Sequence, residues 1–238
     1  MDDFEEIEFN PPAASRVAAR ALVLCATVCR ASLEGHSQEV EAETLRQQIL
    51  EWIDAVGLQS ELEDAERQLL AAPLGTLDER VVIDATWNGE AMGVLAWALG
   101  RYELPPYDQI VSSPSIGEAI GFLEEYGDTA LAAARLRSSS EIDRFRERMF
   151  ALHWRLREFS LRRGTIDLEE FASKCGFGPL DISALELVRR DLAIDGRSLL
   201  DVSEERWHEC LSIASERHRA ANWLAGYESV YSEVTADT

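Results

Sequence analysis

With 238 residues, 46% of them hydrophobic and 28% charged, the chain has the make-up of a folded protein and not of a disordered one. A chain of this size buries roughly 70–75% of its unfolded surface, enough for a core without staples. The formal net charge of −21, from 44 Asp and Glu against 23 Lys and Arg, repels phosphate backbones and anionic lipid, which argues against nucleic-acid and membrane-surface partners. It suits solubility first, and a basic protein partner second.

The first twelve residues read as an acidic, flexible leader ending in Pro11-Pro12, and residues 13–238 as a single α-helical domain, since no linker divides them. The opening Met1-Asp2-Asp3-Phe4-Glu5-Glu6 is acidic where a secretory signal is basic. No apolar run approaches the roughly 18–20 residues that span a bilayer. The expected location is the cytoplasm.

Helical spacing begins near Ala13, with Val17, Ala21, Leu24 and Val28 on one face and Gly35 as a stop. Cys25 and Cys29 lie a turn apart in this apolar run. With Cys175 and Cys210 they form no CxxC pair, so all four read as small hydrophobes in a reducing compartment, without a disulfide framework or zinc site. A second helix runs from about residue 39 to 56, its inner stripe being Leu45, Ile49, Trp52, Ile53 and Val56, with Gly57 beyond its end. Ser60…Glu63, Thr76…Glu79, Ser115…Glu118 and Ser138…Glu141 fit the capping-box pattern. The segment after Thr76 carries Val81, Val82, Ala85, Trp87, Ala91, Val94, Leu95, Trp97 and Leu99, which leaves little polar surface and marks a central helix ending at Gly100.

From about Ser140 to Arg163, Ile142, Phe145, Met149, Leu152, Leu156 and Phe159 form one helix face. Arg144, Arg146, Arg148, Arg155, Arg157, Arg162 and Arg163 lie along its flanks, where they read as solvated arginines paired with nearby carboxylates. A shorter helix breaks at Gly176, Gly178 and Pro179, and Asp181 to Arg190 resumes helical spacing. Asp195-Gly196, between Leu192-Ala193-Ile194 and Arg197-Ser198-Leu199, predicts a type I′ hairpin. The last long helix starts near Ser203 and stops at Gly226. Beyond it, Tyr227, Val230, Tyr231 and Val234 predict a tail folded back on the domain. The fold class expected is mainly α: a single-domain multi-helix bundle with one small β-hairpin.

Catalytic signatures are absent: the chain has no P-loop, no GxGxxG, no GxSxG and no HExxH. His208-Glu209 begins an HExxH phrase, but Ser212 stands at the second ligand position. No catalytic residue, metal site or cofactor is therefore assigned. What remains is a set of polar residues on faces that predict burial: Glu90, His153, Arg157, Glu216, His218 and Asn222. A buried carboxylate must be paired or protonated, so Glu90 is expected to meet an arginine or histidine, with Arg157, Arg217 and His218 favoured. If the helices pack together, these six residues meet in one polar pocket. Either they satisfy one another and set helix register, or they form a ligand or acid–base site, for which histidine and carboxylate are suited near neutral pH.

Four blocks carry a family resemblance. They are Arg20-Ala21-Leu22-Val23-Leu24; Trp87-Asn88-Gly89-Glu90-Ala91 through Trp97-Ala98-Leu99-Gly100; Leu136-Arg137 followed by His153-Trp154, Arg157 and Glu158; and Glu216-Arg217-His218 through Ala221-Asn222-Trp223-Leu224. The hairpin Asp191 to Gly196 and the ending Val234, Asp237 and Thr238 fit too, while Tyr231-Ser232 departs from the expected Trp-Asp. On these the chain resembles the bacterial domain of unknown function 4272 family. The resemblance implies an α-helical intracellular bacterial protein and no activity. The function expected from the residues is a non-enzymatic acidic interaction protein that neutralises a basic partner such as a toxin domain, with Glu61-Leu62-Glu63-Asp64-Ala65-Glu66 as one contact. The alternative is an enzyme or small-ligand binder using the polar pocket.

Overall fold

The computed structural model describes residues 10–125, 131, 133–176 and 178–238; most of the acidic leader lies outside them. Eight helices and one three-stranded antiparallel sheet make up the regular structure of the described residues, so the mainly α expectation holds. The chain divides into two compact units. One comprises residues 13–104 and 110–137, the other residues 10–12, 105–109 and 138–238.

The first unit holds α1 (Ala14–Ser32), α2 (Val40–Val56), α3 (Asp64–Ala71), α4 (Glu79–Ala98) and α5 (Ser113–Ile120). Helix α1 is buried nearly all round, through Val17, Ala21, Leu22, Val23, Leu24, Ala26 and Val28. It packs most extensively on α4, whose second half from Gly89 to Ala96 is buried without a break. Burial pushes the Cys25 thiol up to about 12, in keeping with its reading as a small core hydrophobe. Two glycines a turn apart on α4 let the following loop lie directly on the helix. A Cβ at Gly89 would stand 2.8 Å from Ser113 Oγ, and one at Gly93 would stand 2.9 Å from Val111 Cγ1.

Helix starts are set by other residues than the capping-box pattern picked out. Of the four predicted boxes, Ser138…Glu141 forms. Helix α3 is boxed by Glu63 and Glu66, α4 is capped by Asp78 accepting from the Arg80 N–H, and α5 by Ser112 accepting from the Ser115 N–H. The first helical turn begins where tertiary packing places it, and any nearby oxygen then takes the orphan N–H groups.

Two arginines inside this unit have no exposed surface. Arg20 donates to the Glu61 carbonyl at 3.3 Å and the Glu63 carboxylate at 3.2 Å, and pairs with Glu66. Arg30 reaches the carbonyls of Ala72 and Pro73, each at 3.0 Å, and Glu34 at 2.7 Å. Each guanidinium thus ties α1 to the α3 region through acceptors some forty residues away in sequence.

The second unit holds α6 (Ser139–Leu161), α7 (Leu168–Lys174), β1 (Leu187–Val188), β2 (Asp191–Ile194), β3 (Arg197–Ser198) and α8 (Glu204–Ala225). Helices α6 and α8 form its main packing. Met149, Leu152, Leu156 and Phe159 meet Trp207, Cys210 and Ala214 in a core that the fully buried Leu192 and Ile194 close. The Asp195-Gly196 turn has φ of 52° and 68°, as a type I′ hairpin requires. Helical spacing over Asp181 to Arg190 is overturned: this stretch turns into β1, which pairs with β2 through a second two-residue connection. That connection is Arg189-Arg190, with φ of 54° and 68°, a left-handed pair with no glycine or asparagine to announce it.

Gly226 ends α8 in the left-handed conformation, and the tail returns as expected. Tyr231 is 3% exposed, its ring edge-on to Trp223 at 5.6 Å, and Val234 is buried. No helix of the described residues is long and apolar enough to cross a membrane.

Candidate functional site

Helices α6 and α8 pack along facing stripes, and that packing brings two of the predicted polar residues together. His153 of α6 and His218 of α8 are 4% and 1% exposed, with their Nδ1 atoms 3.2 Å apart. At that distance one ring donates its Nδ1–H and the other accepts with a bare nitrogen, so the two imidazoles hold opposite tautomers. The Phe150 ring packs edge-on against His218 at 5.6 Å.

Burial lowers both histidines. His153 falls to about 4, with the Arg157 charge pushing the same way and Asp237 opposing. His218 falls to about 3 through burial, then the neighbouring His153 and Arg146, again with Asp237 opposing. Both rings are neutral at pH 7. A general base is most effective with a pKa near the working pH, and these two lie well below it. The pair is better suited to tying α6 to α8.

Asn222 lies one turn beyond His218, buried, and donates from Nδ2 to the Thr235 carbonyl at 3.0 Å. It therefore pins the tail, and the same tail carries Asp237 into the field of both histidines. Arg157 is exposed and reaches His153 only through its charge. Glu216, two residues before His218 and so on another face of α8, is paired with Arg219. Glu90 is 2% exposed, as its stripe predicts, and accepts the Val111 N–H at 2.9 Å. It belongs to the first unit and the other five residues to the second.

Sequence reasoning missed the buried ion pair of the second unit and the carbonyl acceptors of Arg217. Arg155, placed by its spacing among solvated flank arginines, has no exposed surface. It meets Asp191, also fully buried, through Nε and Nη2 at 2.6 Å each, and donates to the Gly164 carbonyl at 2.8 Å. Asp191 accepts the backbone N–H groups of Ile166 and Leu192 as well. Arg217 donates to the carbonyls of Pro105, Pro106 and Gln109, at 3.3, 3.3 and 2.7 Å. An aspartate directly before an apolar strand was the available signal for the first. Carbonyl acceptors leave no mark in sequence for the second.

Among the described residues, no group of three or more His, Cys, Asp or Glu is arranged to hold a metal ion. Clefts formed within single units among the described residues include two of note. One of about 180 Å³ is lined by Arg146, Phe150, Pro179, Leu180 and Asp181, so that the Phe150 ring stands between it and His218. The other, of about 280 Å³, lies in the first unit against α1, α4 and α5. The predicted contact segment also turns out to be engaged internally, since Glu61, Glu63 and Glu66 surround Arg20, and Asp64 pairs with Arg67.

A family model described as a domain of unknown function, DUF4272, matches residues 2–170. The match takes in the first three sequence blocks and stops before the sheet and α8. No curated protein and no solved structure matches the chain.

Proposed function

The chain belongs to the DUF4272 family, and we propose that this member is a non-enzymatic acidic protein that binds a basic protein partner in the bacterial cytoplasm. The observation that carries the reading is where the surplus charge stands. Residues 39–103 hold fourteen carboxylates and four arginines. Those over 61–66 serve Arg20 and Arg67, and of the rest the largest exposed group is on α2, where Glu43 also pairs with Arg46. Val40, Glu43, Gln47, Glu51 and Asp54 follow one another at three- and four-residue steps on its outer stripe, and all are exposed. Val40 is 78% exposed at one end of that stripe, an apolar contact beside a charged rim, as interfaces commonly present.

Such a face accelerates encounter with a basic partner more than it strengthens the final complex. A toxin-like domain is the kind of partner this suits, because neutralisation depends on speed. The acid–base alternative has less support. Its two histidines are neutral, buried and hydrogen-bonded to each other, and Glu216 serves Arg219.

The test is affinity capture from a lysate of the cell that makes the protein, with the wild type and with a Glu41→Gln/Glu43→Gln/Glu51→Gln/Asp54→Asn variant in parallel. The expected outcome is a basic protein retained by the wild type and lost with the variant. Equal capture by both, or a captured protein that is itself acidic, overturns the proposal.

A further inference from the structure

The cleft of about 280 Å³ in the first unit lies against the C-terminal ends of two helices. Leu22, Leu99 and Ile120 supply apolar lining, the first and last of them buried. Arg101, just past α4, and Glu118 and Glu124, at and just past the end of α5, supply the charge. Among the described residues Arg101 and Glu118 enter no ion pair, whereas Arg16, Arg20, Arg30, Arg46, Arg67, Arg80 and Arg137 of this unit do.

The backbone fixes where these charges stand. Helix α4 closes with the Gly100 N–H on the Trp97 carbonyl and the Arg101 N–H on the Ala96 carbonyl, both at 2.9 Å. Helix α5 closes the same way, with Gly121 on Glu118 at 3.2 Å and Phe122 on Gly117 at 2.9 Å. Both are Schellman closures, which set the direction in which the next residues leave the helix. Glu124 is held at two further points. Its N–H donates to the Gly121 carbonyl at 3.2 Å, and its carbonyl accepts the Trp52 Nε1–H at 2.9 Å. Its carboxylate lies over Gly121, where a Cβ would stand 3.1 Å from Oε2.

This lining distinguishes the two ends of a small molecule. Two carboxylates beside the negative end of the α5 dipole suit an ammonium group, and a guanidinium fork suits a carboxylate. The apolar lining suits a short aliphatic side chain. The volume is at or below the lower end of usual small-molecule sites, about 300–1,000 Å³, which limits the occupant to a small molecule. We propose that this cleft binds a free α-amino acid with an aliphatic side chain, of the valine or leucine class. The site uses none of the α2 carboxylates, so it stands or falls independently of the partner-binding role.

The test follows backbone amide shifts of the full chain by NMR during titration with L-leucine, 4-methylpentanoate and 3-methylbutylamine. Leucine is expected to shift the amides around Arg101 and Gly121 saturably. Each analogue drops one charge-assisted contact and is expected to bind about tenfold more weakly or worse. Arg101→Gln should weaken leucine and 4-methylpentanoate but leave 3-methylbutylamine unchanged, and Glu118→Gln should do the converse. Both side chains are exposed, so neither change threatens folding. The proposal is overturned if leucine, isoleucine and valine give no saturable shifts up to about 20 mM, beyond the roughly millimolar range of weak sites. It is equally overturned if both analogues bind as well as leucine.

Discussion

Replacing Asp191 by alanine removes both carboxylate acceptors of a fully buried guanidinium. Arg155 and Asp191 are each fully buried, and the carboxylate takes two contacts from Arg155 at 2.6 Å and two backbone N–H groups. The substitution leaves one buried cation with the Gly164 carbonyl and the Phe159 ring as its remaining contacts, and it frees the N–H groups of Ile166 and Leu192. Breaking a buried pair in this way costs about 3–5 kcal/mol, because the survivor's desolvation is no longer offset. For a protein of this length that corresponds to a fall in melting temperature of roughly 6–20 °C. Urea denaturation followed by tryptophan fluorescence reads the change directly, since Trp154 and Trp207 pack in this unit's core. The double variant Arg155→Met/Asp191→Leu should recover much of the loss, as apolar replacements of buried pairs often do. A loss below about 1 kcal/mol for Asp191→Ala, the range of exposed pairs, would refute the claim that the pair is sealed from solvent.

Three further outcomes are expected. Since both histidines of the α6–α8 pair titrate lower in the folded state, near 4 and 3, than the usual 6.5, the unfolded chain binds protons first; their contribution is complete above about pH 6.5 and is lost as pH falls toward 4. Urea midpoints over that window should fall less steeply for His153→Gln than for the wild type, and parallel curves would count against it. Deleting residues 229–238 removes the packing of Tyr231 and Val234 and the Asn222 contact to Thr235, and should lower the melting temperature by several degrees, as a loss of about 1–2 kcal/mol does at this size; an unchanged value would mean the tail's burial contributes nothing. Arg190→Gly should stabilise the second unit by about 1 kcal/mol, because a left-handed φ of 68° strains any residue with a Cβ, and a destabilised variant would show that the exposed pairs of Arg190 with Asp167 and Glu169 outweigh that strain.

Helices were legible where periodicity and a glycine stop agreed, as for α1, α2 and α8, and the Asp195-Gly196 hairpin announced itself through its turn residues. Arg189-Arg190 carried no such mark: nothing in two arginines implies positive φ, so the stretch before it kept a helical look while forming β1. Buried arginines were illegible for a related reason. Arg20 and Arg155 sit among apolar residues at the same spacing as exposed arginines elsewhere, and what distinguishes them is an acceptor set assembled from distant chain. For Arg155 that set is Asp191 and the Gly164 carbonyl. For Arg20 it is Glu61, Glu63 and Glu66, so an acidic run read as a contact surface also serves as internal scaffolding. Burial of Glu90, His153 and His218 followed from their stripes. The meeting of His153 with His218 followed too, once α6 and α8 pack together, whereas the Val111 N–H on Glu90 did not, because the stripe says which face is inward and not what waits there. No composition shift marks the two units, whose segments alternate along the chain.

The role assigned to the surface charge is tested most directly by association kinetics with the captured partner. The rate constant should fall about tenfold or more as ionic strength rises from about 0.02 to 0.5 M, with dissociation changing little. The α2 variant should begin low and show a shallower dependence. A rate constant that is flat with salt, or a variant that follows the wild-type curve, would contradict the account.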